Sequence, residues 1–113
     1  MTTHTTNIDK QWFLSIMSGD KKVEGRLNKG KFSKIEIGDF ITFECNDEQE
    51  TQSKITKEVK DIKNYKTFQN YLQNETLNRC LPGIDNMDDG LKIYYTYYTV
   101  DNENEYGVKA FIF

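Results

Sequence analysis

The stretch Gly19-Asp20-Lys21-Lys22-Val23-Glu24-Gly25-Arg26-Leu27, with Ile37-Gly38-Asp39-Phe40-Ile41-Thr42-Phe43 shortly after it, governs the reading of the whole chain. From Lys21 onward the first segment alternates as a strand does. Lys21, Val23, Gly25 and Leu27 are expected on one face, and Lys22, Glu24 and Arg26 on the other. Gly25 leaves room for another chain or a ligand to come close. Within a strand of about 20 Å the segment sets an ammonium, a carboxylate and a guanidinium. Arg26 is a rigid fork of donors, Glu24 an acceptor for an amino or ring N–H, and lysine a mobile positive charge. From residue types alone, an ordinary surface ion pair between Glu24 and Arg26 or Lys22, worth at most ~1 kcal/mol, is the simpler reading.

Outward from this segment the elements follow in order. Ile8, Trp12 and Ile16, or Phe13, Ile16 and Met17, fall at helical spacing, with Asn7 as the expected N-cap and Gly19 as the stop. Residues 28–34 read as a basic loop or helical turn. The β-branched and aromatic run Phe40 to Cys45 reads as a strand, and Asn46 to Gln52 as an acidic hairpin-type connection. Ser53 to Tyr65 fits both a helix and a long bent strand, and its β-branched content favours the strand. Thr67 caps a helical segment carrying Phe68, Tyr71 and Leu72, which runs on through Leu77, Cys80 and Leu81 to the Pro82-Gly83 break. Residues 87–99 carry Leu91, Tyr94, Tyr95 and Tyr98 at helical spacing behind Asp88 and Asp89, acids that suit a helix N-terminus. Gly107 to Phe113 alternates as a last strand. This order predicts an α+β domain on a small, strongly curved sheet or barrel.

The length, 113 residues, suits a single domain, residues 1–113, with one site; the polar residues 1–6 read as a flexible tail. Seven Phe, seven Tyr and one Trp against 36% hydrophobic residues predict an aromatic-heavy core. No apolar run approaches the ~18 residues of a membrane span and the start lacks a signal-peptide pattern, so a soluble cytoplasmic protein is expected. Cys45 and Cys80 lie far apart in sequence and His4 sits in the polar start, so neither a metal site nor a Cys-His pair is expected; two reduced thiols are. No cofactor is implied, and a monomer is expected.

The net charge of −3 conceals segregation. Residues 21–34 carry six basic side chains against Glu24 alone, while residues 84–105 carry six acidic ones against Lys92 alone. A second basic run holds Lys54, Lys57, Lys60, Lys63 and Lys66 with Glu58 and Asp61. If both basic runs fold to one side they form a footprint for phosphates; a lysine-rich solvated face is the plainer reading of the second run.

Gly19, Lys21, Glu24 and Arg26 match the GxKxxExR pattern of the ASCH domain, a member of the PUA-like superfamily, which the chain resembles. Trp12-Phe13 and Gly38-Asp39 stand where that family has its first helix and its turn, and Tyr94 to Phe113 resembles the family's ending. The resemblance implies a small PUA-like mixed β-barrel with flanking helices, a cleft lined by the motif, and RNA or modified nucleotides as ligands. Some bacterial relatives deacetylate acetylcytidine with a Lys at the GxK position and a Thr nucleophile three residues later. Lys21 matches, but Glu24 stands at the nucleophile position. A carboxylate is no replacement for an activated hydroxyl, because its acyl product would be an anhydride.

Two functions follow as expectations. In a module for RNA, single-stranded nucleic acid or a nucleotide-like ligand, Lys29, Lys31 and Lys34 hold phosphates, Lys21, Lys22 and Arg26 hold phosphate or base, Glu24 reads a base amine, and Trp12 or Tyr97 stacks. Core packing is the plainer role for Trp12. In a metal-independent hydrolase of RNA or a modified nucleoside, acetylcytidine amidohydrolase-like or a ribonuclease, Lys21 is stabiliser or base and Glu24 the acid/base, with Arg26 as clamp. A third reading is a protein-interaction domain using the aromatic face of residues 91–98.

Overall fold

In a computed structural model, residues 1–46 and 52–113 are described. Among the described residues six strands form two three-stranded sheets, whose ladders do not join into one closed ring. In the first sheet β3 (Phe40–Asn46) lies between β1 (Thr3–Asn7) and β4 (Gln52–Glu58). In the second, β6 (Val108–Ile112) lies between β2 (Val23–Leu27) and β5 (Asp61–Tyr65), antiparallel to both. The long bent strand expected over 53–65 is thus two strands in different sheets. The change-over is at Val59 and Lys60, whose amides donate to Asp39 O and Ile112 O, each at 2.8 Å. β3 and β4 pair with Asn46 opposite Gln52; of the connection expected between them, residues 47–51 lie outside the described residues.

The start of the chain is a strand, not a flexible tail. β1 runs parallel to β3 with Thr3 opposite Phe40, and Asp39 anchors it: Thr2 N donates to Oδ1 and His4 Nε2 meets Oδ2, both at 3.0 Å. The amide of Glu36, His4 and the amide of Thr2 all favour the ionised carboxylate, and hold Asp39 at a pKa of about 2.

Helix α1 (Lys10–Ser18) begins after Asp9, not at the expected Asn7 cap, because Asn7 is still in β1. It ends at Gly19, whose φ of 87° is the left-handed turn glycine accepts most readily. A short turn, α2 (Lys31–Lys34), lies within the basic loop, and buried Lys109 reaches from β6 to hold it, donating to Ile35 O at 2.8 Å. Thr67 caps α3 (Phe68–Glu75), accepting from Asn70 N at 3.0 Å, and α4 (Leu77–Cys80) follows. The helix expected over 87–99 is α5 (Met87–Tyr97), and a second helix, α6 (Val100–Tyr106), starts on the Thr99 cap, a signal the aromatic period obscures. Among the described residues no helix is long and apolar enough to cross a membrane.

Two buried clusters fill the structure. Val23, Leu27, Val108 and Ala110 from one face of the second sheet meet Phe68, Tyr71, Leu72 and Tyr94 of α3 and α5. Phe111, on the opposite face of β6, joins Ile41, Phe43 and Cys45 of β3 with Phe13 and Ile16 of α1. Trp12 and Phe13, neighbours on α1, therefore belong to different clusters. Cys45 and Cys80 are free buried thiols in separate clusters.

Candidate functional site

β2 is hydrogen-bonded to β6 with Glu24 opposite Phe111 and Arg26 opposite Lys109. Its period places Glu24 and Arg26 on one face, and they pair: Arg26 Nε and Nη2 donate to Glu24 Oε2 at 3.0 and 2.9 Å. Lys21 was expected on the opposite face, yet its Nζ lies 3.2 Å from Glu24 Oε1. The strand starts only at Val23, so alternation does not extend back to Lys21, and the turn after α1 folds that side chain under β2. Glu24 is thus clasped by two cations, with the Lys21 side chain 1% and the Glu24 side chain 8% exposed.

Burial pushes the Glu24 carboxyl up, but the charges of Lys21 and Arg26 and the hydrogen bonds they donate outweigh it and hold the group below its ordinary value. For Arg26 burial acts downward, and Glu24 overcomes it to leave the guanidinium more firmly charged. Glu24 and Arg26 are thus both held in their charged forms.

Lys21 has no donor to spare. An ammonium offers three N–H groups, and these face Val23 O at 2.8 Å, Cys80 O and Glu24 Oε1. Arg26 is nearly as occupied, with Nη2 also donating to Asn7 O at 2.9 Å and Nη1 lying 3.4 Å from Thr6 Oγ1. Glu24 keeps acceptor capacity on Oε1, which among the described residues meets only Lys21.

Above this cluster opens a cleft of about 410 Å³, within the usual range for small-ligand sites. It gathers five of the residues singled out from sequence: Trp12, Lys21, Glu24, Arg26 and Tyr97. Trp12 is also core, 8% exposed, as its plainer reading held. Asn7, Asp9, Ile93, Tyr94 and Tyr98 line the cleft too and were not expected there. For Tyr94 and Tyr98 the signal existed, since both lie on the apolar stripe of α5; nothing near β2 in sequence points to Asp9, which receives the Tyr97 hydroxyl across the mouth. Burial lifts the phenol of Tyr94 well above its ordinary value and raises that of Tyr98, so both stay neutral at physiological pH.

Gly25 lines the cleft, and its missing side chain makes room for the ring of Tyr71: a Cβ there would stand 2.4 Å from Tyr71 Cζ. Lys29 and Lys31 line an adjoining groove of about 430 Å³ that shares Tyr97 and Tyr98 with the cleft, although Lys31 Nζ already donates to Thr5 O at 2.7 Å. Lys34 is exposed on α2 and, among the described residues, lines neither the cleft nor the adjoining groove, and Lys22 lines a different cavity. The aromatic face of residues 91–98 is largely turned inward, with Leu91, Ile93, Tyr94 and Tyr98 packed on the core. Among the described residues no cluster of three His, Cys, Asp or Glu side chains could hold a metal ion.

The family model described as ASCH domain matches residues 7–113. The crystal structure of hypothetical protein PH0355 superposes with a TM-score of 0.85 at 31% identity, over 99% of this chain and 96% of that one. The solution NMR structure of protein PF0455 from Pyrococcus furiosus gives 0.76 at 30% identity, over 97% of this chain and 94% of that one. No curated protein matches the sequence.

Proposed function

The chain belongs to the ASCH domain family, and from that premise we propose that its cleft binds a base of RNA or of a nucleotide-like ligand. The observation that carries this reading is Glu24: an ionised, buried carboxylate lining an open cleft with an acceptor site left on Oε1. Such a group takes an N–H, and amino or ring N–H groups at a base edge supply one. Trp12 and the 61%-exposed Tyr97 give flat apolar walls. Lys29 and Lys31 in the adjoining groove, with Lys34 beyond it, add positive charge for the backbone. The finer architecture that accompanies the family, a small PUA-like barrel, is supported by the continuous chain from β4 to β5 across both sheets.

Binding is favoured over hydrolysis by the occupancy of the same groups. The Lys21 Nζ already faces three protein acceptors, which leaves no N–H to donate to a substrate. Glu24, held below its ordinary value, carries no proton to donate at neutral pH. Both cations position the carboxylate. The test is titration of short single-stranded RNA at low salt with the wild type and Tyr97→Ala, whose exposed side chain leaves the core untouched. Loss of one stacked base, about 1–3 kcal/mol, weakens binding roughly 5- to 150-fold. No binding by the wild type, or equal binding by Tyr97→Ala, refutes the reading.

A further inference from the structure

The two basic runs of the sequence meet at one cavity, which shares Lys21 with the base cleft. Lys22 belongs to the first run, Lys57 and Lys60 to the second, and all three line a cavity of about 280 Å³ that Lys21 shares with the cleft. The convergence is fixed by backbone. β6 is the centre of its sheet, and its end holds both segments: Phe113 N donates to Lys22 O at 3.1 Å, and Lys60 N donates to Ile112 O at 2.8 Å. Lys57 sits two residues before the change-over between sheets, opposite Ile41.

The charges at this place are unbalanced. Lys22 and Lys60 are exposed and Lys57 half-buried, and among the described residues none of the three forms an ion pair. Glu58 is the acidic side chain lining the cavity, alongside the hydroxyl of Thr56. Three ammonium groups around one polar cavity repel each other, and a multivalent anion relieves that repulsion while accepting their hydrogen bonds. The groove with Lys29 and Lys31 is also joined to the base cleft, through Tyr97 and Tyr98. Two lysine-bearing cavities thus share lining residues with the base cleft, one through Lys21 and one through the two tyrosines, a charge pattern that suits a strand better than an isolated nucleoside.

We propose that Lys22, Lys57 and Lys60 form a second anion site, which holds backbone phosphates of the same single strand whose base enters the cleft. This rests on the base-binding reading of the cleft. The ligand is then an oligonucleotide, and its affinity depends on length and salt in a way a mononucleotide's does not.

The test uses the full chain and the triple variant Lys22→Gln, Lys57→Gln, Lys60→Gln, with retained folding checked by circular dichroism. The probes are a mixed-sequence single-stranded RNA of about 12 nucleotides, within the site sizes of single-strand grooves, its four mononucleotides, and inorganic tripolyphosphate. Each phosphate contact on a single strand contributes roughly 0.7 to the slope of log affinity against log salt, so three lost contacts flatten it by about 2. The expected result is that flattening for the RNA, with mononucleotide affinity unchanged in the variant. An unchanged slope for RNA that the wild type binds overturns the second site and leaves the base cleft standing. A flattened slope together with undiminished binding by Tyr97→Ala supports the lysine site and overturns the base cleft instead. Tripolyphosphate binding lost in the triple variant, with the RNA slope unchanged, assigns the lysines to free phosphate and overturns the strand path.

Discussion

Replacing Lys21 with Met separates a positioning lysine from one that contacts ligand. The substitution removes the donor shared by Val23 O, Cys80 O and Glu24 Oε1 and replaces a buried ammonium with an apolar chain. Breaking a buried ion pair from one side costs about 3–5 kcal/mol. Glu24 keeps Arg26, which argues for the low end, but two buried carbonyls also lose a charged donor, at about 1–3 kcal/mol for each left unsatisfied. Even at the low end of each contribution the loss is about 5 kcal/mol. For 113 residues the unfolding entropy is roughly 0.24 kcal/mol/K, so thermal melting followed by circular dichroism falls by about 21 °C. Lys22→Met, at an exposed position without an ion pair among the described residues, stays within about 2 °C of the wild type. The pH dependence is a second readout. Glu24's depressed pKa contributes stability that is present above its unfolded value and lost as pH falls through the folded one, so the gap between wild type and Lys21→Met narrows in acid as Glu24 protonates in both. A melting temperature within about 2 °C of wild type, combined with lost RNA binding, would show that Lys21 faces the ligand and would refute its positioning role.

The fold makes two further predictions. Gly25→Ala drives a Cβ to within 2.4 Å of the ring of fully buried Tyr71, which cannot swing away. Overpacking of this kind costs about 1–3 kcal/mol or more, read as a drop of roughly 4–13 °C or as insoluble expression; an unchanged melting point would mean that Tyr71 does not lie over β2. Asp39, held at about 2, contributes stability that is present above its ordinary value and lost as pH falls from about 4 towards 2. Asp39→Asn abolishes that part of the acid transition and raises amide exchange in Thr3–Asn7 at neutral pH, whereas unchanged protection there would show that β1 needs no Asp39 anchor.

What the sequence conveyed about the fold tracks how local the signal is. The caps at Thr67 and the stop at Gly19 lie within one helical turn of the groups they satisfy, and both stand. β1 was missed because its polar threonines gain strand structure only by lying along β3, some 37 residues away, which no local pattern records. The run from Ser53 to Tyr65 was legible as extended, but its division between two sheets depends on the amides of Val59 and Lys60 finding carbonyls on different partners. The small barrel implied by the family resemblance likewise depends on pairing between distant strands, and among the described residues the ladders form two three-stranded sheets with no closed ring.

For the site the limit was a boundary of two residues. Alternation correctly paired Glu24 with Arg26, and extending it back to Lys21 sent that lysine to the wrong face. Once Lys21 lies beneath β2, the motif reads differently: its two cations spend their donors on Glu24 and on backbone carbonyls, and what remains for a ligand is one carboxylate oxygen framed by aromatic side chains. The lysines that are free to meet phosphate are then those outside the motif core. Lys22, next in sequence to the buried lysine, is solvent-facing because the turn after α1 directs its neighbour inward. One turn thus assigns adjacent lysines opposite tasks, the first to hold a carboxylate ionised in the cleft and the second to present charge outside it. Exchanging their sizes, for instance by Lys22→Arg against Lys21→Arg, is tolerated at the open position and not at the enclosed one, where a planar guanidinium cannot reproduce a compact ammonium's three contacts.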